Sequence, residues 1–266
     1  MKKSIIIGAM LAVGLAASAQ VARVKSTQPL LQGVESEMYH PRLSPDGSML
    51  LFSSVNYKGL KLYDFNDGVT TRISDEPRAG FDAQFTTDGI RYEVKKQGEY
   101  GKNAYASRSR ALGKKVKPIS GVSVRTEGSV LYITRKGVEK AYTPVESYAG
   151  YIWESLSPDG TKVMFVAAGK GVIITDLEGR ILSQPGMYEA PVWLGNNAIA
   201  AMKSTDDGHQ FSSSQIVAMD LNGGNLTELT RPESMAMYPT ATAAGDKLVY
   251  NTIDGRLILM NLELLK

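Results

Sequence analysis

Tyr39-His-Pro-Arg-Leu-Ser-Pro-Asp-Gly47 decides the fold, because the chain keeps returning to it. It recurs in degenerate form as Phe81-Asp-Ala-Gln-Phe-Thr-Thr-Asp-Gly89 and nearly intact as Glu154-Ser-Leu-Ser-Pro-Asp-Gly160. Weaker copies are Arg125-Thr-Glu-Gly128, Pro191-Val-Trp-Leu-Gly-Asn-Asn197 and Pro239-Thr-Ala-Thr-Ala-Ala-Gly245. The first five are spaced by 42, 39, 32 and 37 residues, near the roughly 40-residue period of a propeller blade. Turn geometry explains the residue types. Proline presets φ at the first corner, Asp tolerates the next, and Gly accepts positive φ where the chain exits.

Each turn leads into a β-rich run, as in Ser48 to Ser53, Lys162 to Val166 and Lys247 to Asn251. A second strand usually follows, such as Leu60-Lys-Leu-Tyr-Asp-Phe65 or Ile216-Val-Ala-Met-Asp-Leu221, and then a short last strand. Runs of about five residues between closely spaced turns leave no room for long helices. The expectation is an all-β, six-bladed β-propeller with blades near 37–76, 80–118, 119–147, 148–184, 186–231 and 236–266. Residues 119–147 are the weakest unit, short enough for a truncated blade. The final blade lacks an outer strand, whereas Val21 to Gly33 reads as a strand with no blade of its own. Residues 20–33 are therefore expected to close the last blade, burying the open edges of the ring.

Ser44-Pro-Asp-Gly47, Ser157-Pro-Asp-Gly160 and the run from Ile216 to Thr230 resemble the WD40-like repeats of the TolB-like propellers. The same repeats occur in the propeller domains of prolyl-oligopeptidase-like peptidases. The resemblance spans residues 20–266, closest in blades one, four and five. It implies an envelope binding module that docks a protein through one mouth of the channel. No segment corresponds to the α/β domain that precedes the propeller in TolB, so the resemblance is to the propeller and not to TolB as a whole.

The first residues read as an address. Lys2 and Lys3 precede an apolar run from Ile5 to Ala17, and Ala17-Ser18-Ala19 supplies a small-residue cleavage site. The run is shorter than the roughly 20 residues needed to span a bilayer, so residues 1–19 are expected to be a signal peptide and the location periplasmic, with secretion as the alternative. There is no cysteine, so burial alone must stabilise the fold and no thiol is available for a lipid anchor. Without Lys2 and Lys3 the basic residues fall from 30 to 28 against 27 acidic, a net charge of +1. That near-neutral balance gives no field for nucleic acid, and Lys95-Lys96 and Lys114-Lys115 read as solvated strand faces. The protein is expected to be a monomer that does not insert in a membrane.

Catalytic and metal signatures are weak. With only His40 and His209 and no Cys, no zinc spacing is present. Asp206-Asp207-Gly208 lacks the remaining ligands of a calcium loop and reads as a hairpin tip. No Gly-x-Ser-x-Gly elbow exists, and Asn222-Gly-Gly-Asn225 opens a strand, leaving no helix N-terminus to hold an anion. No enzyme activity, metal or cofactor is expected. Asp46, Asp88 and Asp159 are turn residues. The binding candidates lie about one short strand upstream of the turns, near one channel mouth: Tyr39, His40, Phe81, Asp82, Tyr151, Trp153, Glu154, Tyr188, Glu189 and Tyr238. Large aromatics ringed by charges suit a protein interface, although any one of them could instead fill the taper between blades. The alternative is a glycan- or peptidoglycan-binding, even glycan-cleaving, propeller in which Asp82, Glu154 and Glu189 converge. A third reading is a partner for a separately encoded peptidase.

Overall fold

The computed structural model describes residues 20–33, 35, 37–97, 103–113 and 121–265. The expected signal peptide and the Lys114-Lys115 pair lie outside them. Six sheets stand around a central axis. Strand β1 (Ala22–Leu30) belongs to the last of them. Blade one is β2 (Tyr39–Leu43), β3 (Met49–Ser53), β4 (Leu60–Asp64) and β5 (Thr70–Ser74). Blade two is β6 (Gln84–Thr86), β7 (Gly89–Gln97) and β8 (Asn103–Ala111), and blade three is β9 (Val122–Glu127), β10 (Val130–Arg135) and β11 (Val138–Tyr142). Blade four runs through β12 (Tyr151–Leu156), β13 (Lys162–Ala167), β14 (Gly171–Asp176) and β15 (Ile181–Gly186). Blade five holds β16 (Glu189–Leu194), β17 (Ala198–Asp206), β18 (Phe211–Asp220) and β19 (Thr227–Glu228). Blade six is β20 (Ala236–Ala241), β21 (Lys247–Thr252), β22 (Leu257–Leu264) and then β1. The expected propeller is present, and β1 pairs antiparallel with β22 from Ala22↔Leu264 to Leu30↔Leu257.

The repeated turn is a hydrogen-bonded knot. The Ser44 hydroxyl donates to Asp46 Oδ1 at 2.6 Å, and the same carboxylate oxygen accepts the Ser48 amide at 3.0 Å. The Ser157–Asp159–Thr161 turn repeats these bonds at 2.6 and 3.0 Å. Burial would raise the Asp159 pKa, but the Ser157 and Thr161 donors and Lys162 hold it down to about 2. Gly47 closes the turn at φ 69°, where a side chain would be strained and would meet Thr242.

Period-two alternation explains how the blades pack. In β3 every residue is buried: Met49 and Leu51 face blade two, whereas Leu50 and Phe52 face blade six. A strand covered on both sides reads as a continuous apolar run. Five apolar seams result, joining blades one–two, three–four, four–five, five–six and six–one.

Blades two and three depart from the repeat. Among the described residues both have three strands, although only the second of them looked truncated in the sequence. The Leu112 amide reaches the Asp88 carbonyl (3.3 Å), so three strands leave the chain on the face of the repeated turns. Strand β9 must start there and run the other way. Accordingly, the Tyr151 amide donates to Gly128 O at 2.8 Å, bringing the end of β9 against the start of β12. Elsewhere like ends meet, as in Ala243 N to Pro45 O (2.9 Å). Arg125-Thr-Glu-Gly128 is therefore not a copy of the repeated turn: it sits at the opposite end of the ring. We call the repeated-turn side the turn face, and the opposite side, where blade one joins blade two and blade three joins blade four, the loop face.

Candidate functional site

Four innermost strands share one irregularity near the loop face. Pairing slips between Tyr39 and Arg42, Ile152 and Ser155, Glu189 and Val192, and Met237 and Thr240. At each slip one residue is left-handed: His40 (φ 55°), Trp153 (56°), Ala190 (43°) and Tyr238 (50°). Such bulges re-aim side chains and are common beside functional sites. Proline follows in three of the four cases (Pro41, Pro191, Pro239), suiting a place where the ladder needs no amide donor.

The bulges assemble an arch of rings at the mouth. His40 stacks on Tyr57 at 3.8 Å and lies 5.0 Å from Tyr238. Tyr57 meets Phe81 edge-on at 5.1 Å, and the Arg78 guanidinium lies 3.6 Å above Phe81 and 4.5 Å from Tyr105. Arg78 is itself left-handed (φ 72°), and its buried Nε has no hydrogen-bond partner among the described residues. Burial, helped by the Arg42 charge, lowers the His40 pKa to about 4, so the ring is neutral at pH 7. Arg42 lies below it. Burial lowers its pKa too, against the opposing pull of Asp82 and Tyr57. The one hydrogen bond its guanidinium makes among the described residues is to Pro41 O, at 3.3 Å.

The acids divide. Asp82 accepts from Gln84 Nε2 (2.9 Å) and Glu154 from the Thr126 hydroxyl (3.0 Å), and both line a cavity of about 280 Å³. Burial raises the Glu154 pKa, and the Asp82 charge adds to that rise. Glu189 stays outside the cavity, accepting from the Ser204 hydroxyl at 3.0 Å and acting on Tyr238. Two of the three expected carboxylates converge.

Among solved structures the chain is similar to one titled the mitotic checkpoint complex (TM-score 0.52, 8% identity, covering 98% of this chain and 97% of the other). It is similar to a protein assigned as TolB from Agrobacterium tumefaciens (0.50, 16%, 87% and 91%). A third is the Kuenenia stuttgartiensis hydrazine synthase (0.50, 14%, 82% and 74%). No family model and no curated protein matches. The likeness is one of fold. Three proteins of such different titles on one propeller leave function to the side chains.

Those side chains correct part of the expected site. Tyr151 is 4% exposed, packs 4.5 Å from Phe165 and hydrogen-bonds the Val145 backbone, so it is a core residue of seam three–four. Trp153 and Tyr188 pack on seam four–five. Tyr39 stays at the mouth, donating to Ile253 O at 3.3 Å. The residues missed were Tyr57, Arg78 and Tyr105, which lie in connections or on β8 instead of one strand upstream of a turn. Of fourteen exposed large apolar side chains among the described residues, seven lie toward the loop face: Val55, Phe81, Tyr148, Met187 and Ile253 in connections, and Tyr105 and Ile152 near the starts of β8 and β12. Tyr148, 89% exposed, borders a depression of about 650 Å³ with Gly169 and Lys170. Among the described residues, no three His, Cys, Asp or Glu side chains group as for a metal, and no helix is long and apolar enough to cross a membrane.

Proposed function

We propose that this propeller is a non-catalytic binding module of the cell envelope that takes a protein partner on its loop face. The carrying observation is the arch from Tyr105 through Arg78, Phe81, Tyr57 and His40 to Tyr238, set among the exposed apolar residues of that face. Preassembled aromatic and Arg groups are what interface hot spots are made of, and they lose little entropy on binding. The leader-like residues 1–19 and the TolB-like repeats support the envelope setting, with a periplasmic location as the first choice.

Affinity capture from an envelope extract tests this. Wild-type protein and a turn-face control, Ile181→Ser with Leu182→Ser, should retain the same partner. Tyr57→Ala with Phe81→Ala should lose it at unchanged thermal stability. Capture that survives the arch variant, or is lost in the turn-face control, rejects the loop face as the docking surface.

A further inference from the structure

Six blades make six junctions, and apolar clusters fill five of them. Between blades two and three there is none among the described residues. The facing sides are polar because each three-stranded sheet spends its apolar side on its other neighbour. In blade two, Ile90, Tyr92 and Val94 pack toward blade one, which turns Arg91, Glu93, Ser107 and Tyr105 toward the gap. In blade three, Leu131 and Ile133 pack toward blade four, which turns Arg125 and Tyr132 outward. At this junction Asp82, Arg91, Glu93, Ser107, Arg125 and Glu154 line a cavity of about 280 Å³.

The groups in this slot are held in place and incompletely used. Glu139 and Glu127 bind the Arg125 guanidinium at 2.7 and 3.3 Å, and it lies 3.7 Å above the Tyr132 ring. One Arg91 nitrogen donates to Gln84 Oε1 at 3.2 Å. Asp82 accepts at one oxygen only, from Gln84, and Glu93 makes no side-chain hydrogen bond among the described residues, whereas Glu154 is held by Thr126. Tyr105, half exposed, stands at the outer end of the same face of β8 as Ser107. Carboxylates and an arginine offer acceptors and donors side by side, with tyrosine faces at the rim. Vicinal hydroxyls, each one donor and one acceptor, match that array. An apolar peptide does not, because it would leave these polar groups dry and unpaired.

We propose that the slot between blades two and three binds a neutral saccharide, with Asp82, Glu93, Glu154 and Arg91 as its hydrogen-bonding groups and Tyr105 as the stacking face. The volume, near the roughly 300 Å³ lower end of ligand pockets, fits one or two sugar rings. This site shares Tyr105 with the aromatic arch, but its hydrogen-bonding groups Asp82, Glu93, Glu154 and Arg91 are not part of the arch, so variants at those groups and at Tyr57 tell the two readings apart.

The test is titration calorimetry of the mature protein with the di- and tetrasaccharides of the malto-, cello- and chito-oligosaccharide series. At least one series should bind, and Asp82→Asn with Arg91→Ala should weaken it at least tenfold without changing the melting temperature by more than a few degrees. Tyr57→Ala at the arch should leave saccharide binding unchanged. Binding that persists in the slot variant, or absence of binding across all three series, overturns the proposal. So does preference for a monoamine probe such as butylamine, which would mark the slot as a cation site.

Discussion

His40 shows how one residue can couple fold and pH. Its pKa of about 4 lies below the ordinary value of 6.5. The unfolded chain therefore binds more protons than the folded one between those values, and stability rises with pH across that window. It is fully present above pH 6.5 and drains away as the pH falls toward 4. Discounted for the solvated ring edge, the loss is on the order of 1–2 kcal/mol. His40→Asn keeps a side chain that tolerates left-handed backbone, so urea midpoints of wild type and variant should converge at pH 4.5 relative to pH 7.5. Parallel midpoints would show that the imidazole is not held neutral.

Ala190 isolates the backbone strain of the equivalent bulge in blade five. At φ 43° and 6% exposed, it has a conformation that glycine adopts freely and valine does not. Ala190→Gly should be neutral or stabilising by up to about 1 kcal/mol. Ala190→Val should cost on the order of 2 kcal/mol or more. Equal effects in denaturant melts would mean that packing, not φ, governs the site.

Among the elements, β1 carries the most consequence. Its outward residues from Arg23 to Pro29 are exposed, but its ends, Ala22 and Leu30, are buried in seams five–six and six–one. Removing residues 20–35 uncovers Leu257, Leu259 and Leu262 along β22, a loss that should consume much of the roughly 5–15 kcal/mol a domain possesses. A melting temperature within a few degrees of wild type would contradict closure by this strand. This element was legible in the sequence, since an orphan strand at one end matched a missing strand at the other. The repeated turns were legible for a similar local reason, because Ser, Asp and Gly hydrogen-bond within five residues. Blade three was not. Arg125-Thr-Glu-Gly128 has the composition of a repeat turn, and only the count of strands before it reverses its direction. Likewise, Tyr39, His40, Phe81, Asp82, Glu154 and Tyr238 could be placed at the mouth by their distance from a turn. The burial of Tyr151, Trp153 and Tyr188 depends on which face of the neighbouring blade they meet, which spacing alone does not encode.

At the scale of the whole molecule, the ring is closed by unequal bonds. A junction sealed by buried Leu, Met and Phe side chains gains about 1.5–3 kcal/mol for each one fully buried. The junction between blades two and three has no such apolar cluster among the described residues, and its facing walls are largely polar. Opening there exposes little apolar surface, so the lowest-energy excursion of the ring should separate blade two from blade three while the block of blades four to six stays assembled. Hydrogen exchange reads such partial openings directly. Amides of β8 and β9 should exchange first, those of β13, β14, β17 and β18 last, with a gap of several kcal/mol between the two groups (a domain's local openings span the range from about zero to its global stability). A saccharide seated in the slot would bridge the two walls and should slow exchange in β8 and β9 selectively, leaving β17 and β18 as they were. Uniform exchange around the ring would require a stabilising contact between blades two and three that no apolar cluster among the described residues supplies.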